Sequence, residues 1–386
     1  MIIDATTTAQ VRTAIHTANE QNLPLAVYAT GHGGEMPDPE RTVVVTTSAM
    51  STVIVDPRRR IARVGPGARW SEVIEAAAPF GLAPLAGTNA TVGVIGYTLG
   101  GGMGWLSRAF GYAADSVVRA EVVTADGQTR TVSADQDPDL FWAIRGGGAN
   151  FGVVTSLEFR LHPVPSVYAG SATFPLERAG DLLTWYRDNA TALPDELTAN
   201  LVLTPDSVAV RGMYAGGAVD ARRALAPLLG AAGTPVTDTW RSMSYTESVT
   251  VGGTAPRNFT LLADLPDPVI TGAVDAVGEG ADAVEIRLWS GAIARPDAHH
   301  GPAGHRDVPF SAAVVGSPEI AEPITFHGTG GSFLNWLPDP TRTHTAYTTR
   351  NYARLRDLKH RYDPNNLFGL AKNIPPAVRE TARLGA

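Results

Sequence analysis

The side chains that usually carry chemistry are sparse in this sequence, and what is missing narrows the field. There is no cysteine among the 386 residues, which removes thiolate nucleophiles, disulfides and zinc–thiolate sites. Lys359 and Lys372 are the only lysines, and neither follows a glycine-rich phosphate loop, so a Walker-type site is absent. No G-x-S-x-G elbow and no H-E-x-x-H pair occurs. His299, His300 and His305 fall in a Gly-Pro-rich stretch without metal-ligand spacing, and we expect no metal. A strict G-x-G-x-x-G is also missing. In the glycine-rich segment its third position is Ser107, and the relaxed match Gly278–Ala283 follows a helix and carries two acids.

What remains is backbone chemistry. Residues 81–108, GLAPLAGTNATVGVIGYTLGGGMGWLSR, hold no charged side chain before Arg108 and place glycine at 81, 87, 93, 96, 100, 101, 102 and 104. Those glycines, Pro84 and the threonines argue against a membrane span. Val92, Val94, Ile95, Leu99, Met103, Trp105 and Leu106 are too apolar for a surface loop. The segment reads as buried backbone close to a group that is not protein, because glycine lets N–H groups approach an anion or a ring. Thr30-Gly31-His32-Gly33-Gly34 is a second, tighter glycine turn, carrying a single histidine.

Short elements must position both segments. Leu25–Ala29, Thr42–Thr47, Thr52–Asp56 and Arg60–Val64 read as β-branched strands, and Ala68–Phe80 as an amphipathic helix through Trp70, Val73, Ile74 and Ala77. Arg119–Ser133 is a hairpin turning at Asp126-Gly127; Pro138–Arg145 is a helix and Phe151–Leu161 a strand. Composition shifts at His162-Pro163-Val164-Pro165. Beyond it, helices near 177–192, 220–229 and 267–277 alternate with a hairpin at 199–214 and strands near 283–291 and 308–315. That alternation predicts an α+β layer on an antiparallel sheet. Arg350–Tyr362 is a last helix, stopped at Asp363-Pro364-Asn365-Asn366.

The length suits two domains with sizeable cores. The composition, 44% hydrophobic and 18% charged, is that of a globular chain. A net charge of -7 leaves no basic footprint, so nucleic acid is not an expected partner, and neither is a membrane. The start MIIDATTTAQ lacks a basic n-region and an apolar h-region, and with the absence of cysteine this leads us to expect a cytoplasmic protein.

Three ordered motifs then carry a resemblance. Thr91-Val92-Gly93-Val94-Ile95-Gly96-Tyr97-Thr98-Leu99-Gly100-Gly101-Gly102-Met103-Gly104-Trp105-Leu106 is followed by Arg145-Gly146-Gly147-Gly148-Ala149-Asn150-Phe151-Gly152-Val153-Val154. The third is Tyr362-Asp363-Pro364-Asn365-Asn366-Leu367-Phe368 with Asn373-Ile374-Pro375-Pro376. Over nearly its whole length the chain resembles the flavin-dependent oxidoreductases of the vanillyl-alcohol-oxidase and berberine-bridge-enzyme type. The resemblance implies a two-part, PCMH-type FAD-binding domain over residues 1–164 and an α+β substrate domain on an antiparallel sheet over 165–340. A C-terminal return to the flavin follows over 341–386.

It also implies the cofactor, FAD, and its contacts. Thr30, Gly31, His32, Gly33 and Gly34, with Gly87, Thr88, Asn89, Val92 and Gly93, would face the pyrophosphate through backbone N–H groups. Gly96, Tyr97, Gly101, Gly102, Gly104 and Leu106 would pass beside the isoalloxazine. Gly152, Val153 and Val154 would cover the adenine end, and Asn366 and Asn373 would close the site, although Asn366 serves equally well as a helix-stop residue. His32 sits where relatives carry a histidine bonded to the flavin C8-methyl. Asn89 stands where some carry a second, cysteinyl anchor, which an amide cannot form.

The implied reaction is hydride transfer from an alcohol or ring carbon of a small molecule, a secondary metabolite or a sugar, to flavin N5, with dioxygen as acceptor. The chain departs from the pattern at the base. The Y-x-N of the relatives reads Phe333-Leu334-Asn335, and the strand that often presents an acid reads Phe310-Ser311-Ala312-Ala313-Val314. The stretch from Ser317 to Gly330 is short, as though most of a helix were missing. We therefore expect a pocket of Trp289, Ser311, Ala313, His327, Phe333 and Asn335, with Tyr97, His327 or water as base. Two alternatives stay open: FAD as a structural group in a non-redox step such as cyclisation, and a ligand-binding protein with a degenerate site.

Overall fold

The computed structural model describes residues 1–254, 257–370 and 372–378; the end of the expected C-terminal return, 379–386, lies outside the described residues. Ile2–Asp4, Val43–Thr46 and Leu25–Tyr28 form a parallel sheet with Val43–Thr46 in the middle. A parallel pair needs a crossover, and the helix Thr8–Glu20 supplies it. Thr7 caps that helix by accepting the Gln10 N–H, and Val11, Ala14, Ile15 and Ala18 are its buried stripe. The sequence reading passes over this helix, because two of its four inward residues are alanines and the apolar signal is faint.

Five antiparallel strands follow, in the order Val53–Asp56, Ile61–Val64, Val153–Arg160, Val117–Val123 and Thr129–Ser133. The hairpin turns at Asp126-Gly127 as expected, with Gly127 at φ +73°. Helix Trp70–Ala77 buries Trp70, Val73, Ile74 and Ala77, and Trp70 meets the rings of Tyr97 and Phe159 edge-on.

Among the described residues, every strand from Val167 to Val315 joins one eight-stranded antiparallel sheet. Side chains alternate across its faces. Leu201, Leu203, Ile286, Leu288, Ala312 and Val314 point to one face. Helices Ala179–Asn189, Ala218–Ala232, Asp267–Gly278 and Pro318–Thr325 cover it. The last of these is the eight-residue helix that the short Ser317–Gly330 stretch retains. The strand Val167–Pro175 goes unread in the sequence because Ala169-Gly170-Ser171-Ala172 interrupts its β-branched pattern. Among the described residues no helix is long and apolar enough to cross a membrane.

The chain then returns. Helix Thr349–Tyr362 ends at Asp363, whose carboxylate accepts the N–H groups of Leu367 and Phe368 at 2.7 and 2.9 Å and the Lys359 ammonium at 2.6 Å. Both members of that ion pair are fully buried. Lys359 also donates to the carbonyl of Asn150, and Asn150 Oδ1 accepts the Ile374 N–H. The second glycine segment is thereby tied to the end of the chain.

Candidate active site

The central glycine segment folds as a short helix, Val94–Leu99, followed by an irregular turn through Gly100–Gly104. Gly101 and Gly102 adopt φ +110° and +76°, which L side chains rarely tolerate. Their missing side chains make room for the protein itself. A Cβ on Gly101 would lie 2.9 Å from the Phe333 ring, and one on Gly102 would lie 2.5 Å from the Tyr97 ring. Gly87 flanks the other edge of Tyr97 at 2.9 Å, Gly93 abuts Thr30, and Gly104 lies against the Ala86 carbonyl. Leu106 is buried in the core beside them. The glycines placed beside the isoalloxazine at 101, 102 and 104 therefore have a packing reason that stands without any cofactor.

Other positions are open. A Cβ on Gly33, Gly34 or Gly96 would meet nothing within 4 Å, and all three are exposed. Between these openings His32 spans two loops, its Nδ1 3.1 Å from Thr30 Oγ1 and its Nε2 3.2 Å from Thr91 Oγ1. Asn89 Oδ1 holds Thr91 through its N–H and hydroxyl, at 2.9 and 2.7 Å. Thr30 Oγ1 also accepts the Gly93 N–H. Thr88 packs against Gly253 from the large sheet's side of the molecule. This cradle of hydroxyls, an amide, an imidazole and glycine N–H groups suits a pyrophosphate that no lysine is present to neutralise. The open glycines and polar side chains present thus fit the pyrophosphate of an FAD.

Farther along, Gly152 is pressed against the Val123 carbonyl, and Val153 and Val154 bury their side chains in two core clusters. Only their backbone is left to meet an adenine. Asn366 stands at φ +56° in the turn beyond the final helix, whose C-cap is Asp363, and so is not the helix-stop residue itself. Its Oδ1, like that of Asn373, is buried without a partner among the described residues. Both amides thus retain capacity for a ligand.

The expected substrate-side residues gather, with one exception. Trp289 donates Nε1–H to Ser311 Oγ at 2.8 Å, and Phe333 packs edge-on to Trp289 at 5.1 Å between ring centroids. Ala313 lies opposite Glu285, and Ser311 opposite Arg287, on the neighbouring strand. Asn335 bonds to Gly102 and Tyr97. His327 is the exception and a correction: it is exposed beyond the end of helix Pro318–Thr325, on the helix-covered side, against the exposed Phe326. It is not placed to take a proton in this pocket.

Tyr97 needs a correction too. Its hydroxyl is buried and has no hydrogen-bond partner among the described residues. Burial raises its pKa well above the ordinary phenol value; Tyr245 adds to the rise and Arg287 opposes it. A phenol that resists ionisation and has no acceptor for its proton is a worse base than an exposed tyrosine.

Sequence reasoning missed the most polar part of the site. Glu285 and Arg287 alternate on the strand Ala283–Leu288 and so share the face that the helices leave uncovered. Glu285 Oε1 accepts from Arg287 Nε at 3.0 Å and from Asn200 Nδ2 at 2.7 Å; Oε2 accepts the Thr254 N–H at 3.1 Å. Burial pushes the Glu285 carboxyl up, but Arg287 and the hydrogen bonds outweigh it and hold the pKa below the usual value. The guanidinium also donates to the Thr254 carbonyl and lies 4.4 Å from the Trp336 ring centroid. The available signal was two charges at i and i+2 inside an otherwise apolar strand.

Comparison with known proteins agrees with this geometry. The family described as "FAD binding domain" matches residues 1–133, and that described as "Berberine and berberine like" matches 332–375. The chain is 32% identical to (R)-6-hydroxynicotine oxidase of Paenarthrobacter nicotinovorans over 90% of its own length and 83% of the relative's. The crystal structure of 6-hydroxy-D-nicotine oxidase from Arthrobacter nicotinovorans superposes with a TM-score of 0.85 at 27% identity, covering 97% of this chain and 92% of that one. Xylooligosaccharide oxidase from Myceliophthora thermophila, in complex with xylobiose, gives a TM-score of 0.83 at 25% identity, covering 98% and 92%. With both family matches and a relative of this identity and coverage, the chain belongs to the berberine-bridge-enzyme-like FAD-linked oxidoreductases and is an FAD-dependent oxidoreductase.

Proposed function

We propose that this flavoprotein is an oxidase of a small neutral molecule, removing hydride from a carbon that bears a hydroxyl or lies in a ring, with dioxygen as the final acceptor. The observation that carries this reading is the polar cluster of Glu285, Arg287 and Asn200 on the uncovered sheet face. It lies against Trp336, whose chain neighbour Asn335 bonds to the Tyr97 turn. When bound, FAD supplies the two-electron acceptor. The chain's own residues position the substrate: Asn335 fixes the turn, Phe333, Trp289 and Trp336 form an aromatic wall, and Arg287 supplies donors. Relatives named as oxidases of a hydroxynicotine and of xylooligosaccharides support the substrate size.

Among the described residues no group is set up as a base. Glu285 is saturated by its partners, Tyr97 resists ionisation, and Phe333 cannot ionise. The proton of an oxidised alcohol therefore leaves to water. The same shortage is what would favour a non-redox use of FAD, but relatives named as oxidases weigh against that alternative. We further propose that His32 is the flavin's covalent anchor, supported by its place between the open glycines and by the Thr30 and Thr91 contacts that fix its ring. The division into a FAD-binding part to residue 164, a substrate part to 340 and a C-terminal return is supported by the strand pairing, which changes sheet between Pro163 and Val167. A cytoplasmic setting is in keeping with the lack of cysteine.

Oxygen uptake on adding alcohols, aldoses, oligosaccharides and cyclic amines tests the oxidase reading. Equimolar oxygen consumption and hydrogen peroxide formation with at least one of them is expected. Flavin reduction without oxygen uptake would make the protein a dehydrogenase instead.

A further inference from the structure

Three buried oxygens lack a hydrogen-bond partner among the described residues: Thr198 Oγ1 and Asn200 Oδ1, on the sheet face that carries Arg287, and Tyr97 Oη, whose charge environment Arg287 also shapes. Thr198 and Asn200 are 2% and 3% exposed. They alternate on the strand Leu197–Thr204, facing the same side as Glu285 and Arg287. A buried polar atom left unpaired is costly, so a group of them marks room for a ligand's polar atoms. The orientation of the Asn200 amide is decided by its neighbour. Glu285 is a carboxylate and only accepts, so the amide nitrogen faces it and Oδ1 faces away, as an acceptor in want of a donor. Arg287 commits Nε and Nη2 to Glu285 and Thr254, while Nη1 has no partner among the described residues.

We infer that Asn200 and Arg287, both held by Oε1 of Glu285, are the specificity-determining pair that receives a neutral hydroxyl of the substrate, with Thr198 beside it. This rests on the oxidase reading and names what the pocket selects. A hydroxyl accepts from Arg287 and donates to Asn200 Oδ1 with one oxygen. A carboxylate would leave Asn200 Oδ1 facing another acceptor and would lie close to Glu285. An ammonium would satisfy Asn200 but meet the guanidinium. Arg211, opposite Asn200 in the register of the next strand, is the one feature that favours an anion, and the test separates the two.

The test is calorimetric titration of the flavin-loaded protein with xylitol, a small neutral polyol, and with its carboxylate counterpart, xylonate. Xylitol binds, and xylonate binds at least roughly tenfold more weakly. Thr198→Val and Asn200→Leu each weaken xylitol by roughly tenfold, the loss of one hydrogen bond. Thr198→Val removes only a hydroxyl and keeps the shape, so it reads the site even if Asn200→Leu fails to fold. Absence of xylitol binding, tighter binding of xylonate, or wild-type affinity in the folded variants would overturn the inference. The two readings fail separately. If xylitol binds as described but no compound reduces the flavin, the oxidase reading falls and this site stands. If compounds reduce the flavin while both folded variants bind xylitol like the wild type, this site falls alone.

Discussion

Asn335 Oδ1 accepts the backbone N–H of Gly102 at 2.9 Å across 233 residues of sequence, and its Nδ2 donates to the Tyr97 carbonyl at 3.0 Å. One amide thus fixes both sides of the glycine turn. Lys372 braces it from behind by donating to the carbonyls of Leu334 and Asn335. The turn that the sequence marks as cofactor-facing is clamped from the opposite end of the chain.

That clamp changes what glycine substitutions should do. Gly101→Val and Gly102→Val should destabilise the protein by about 3 kcal/mol or more, with or without flavin, through overpacking and a disfavoured φ. Gly96→Ala should act in the opposite sense on the apoprotein. Its Cβ enters open space on a short helix and should stabilise by up to about 1 kcal/mol, while flavin affinity falls. Thermal unfolding of apo and loaded forms separates these effects; an apoprotein unaffected by Gly102→Val contradicts the packing account.

His32→Ala should free the flavin on acid precipitation while leaving the unfolding midpoint of the apoprotein nearly unchanged, because the side chain is exposed. The wild-type precipitate should stay yellow. A colourless wild-type pellet rules out the covalent link.

Removing one partner of the Glu285–Arg287 pair should cost on the order of 3–5 kcal/mol, since the remaining charge is buried alone. Arg287→Met with Glu285→Leu should recover most of that loss, because the strand is apolar on its other face and the double variant buries no charge. Denaturant titration of both single variants and the double variant checks this. Additive losses would mean that the pair is not coupled in the folded state.

His162 provides the acid limb. Burial, helped by Arg160, lowers its pKa to about 4. The ring stacks on Phe110 at 4.2 Å and meets Ser116 Oγ through Nε2. The unfolded histidine titrates near 6.5, so below that pH the unfolded state binds the extra proton. The contribution is complete above pH ~6.5 and is lost as pH falls toward 4, on the order of 2–3 kcal/mol. His162→Gln should flatten this limb in urea unfolding measured across that range. An unchanged pH dependence would mean that His162 is not held neutral.

Much of the fold was legible, for identifiable reasons. The hairpin at Asp126-Gly127, the helix carrying Trp70 and the final helix ending at Asp363 all have strong local signals. Thr8–Glu20 and Val167–Pro175 do not, since alanine and glycine blur their periods. In the site, glycine spacing located the turn but could not say what filled it. That Gly102 makes room for Tyr97 rather than for a ligand depends on a contact visible only in three dimensions. Glu285 and Arg287 escaped notice because pairing, not sequence spacing, makes two buried charges tolerable.

The most direct measurement is anaerobic addition of hydroxylated small molecules to the flavin-loaded protein while its visible absorption is followed. The account predicts that at least one of them bleaches the flavin band and is recovered two electrons more oxidised, with the rate nearly unaltered by Tyr97→Phe. A bound flavin that stays oxidised while its ligand is returned unchanged, or turned over without a change in oxidation state, would contradict the oxidase reading.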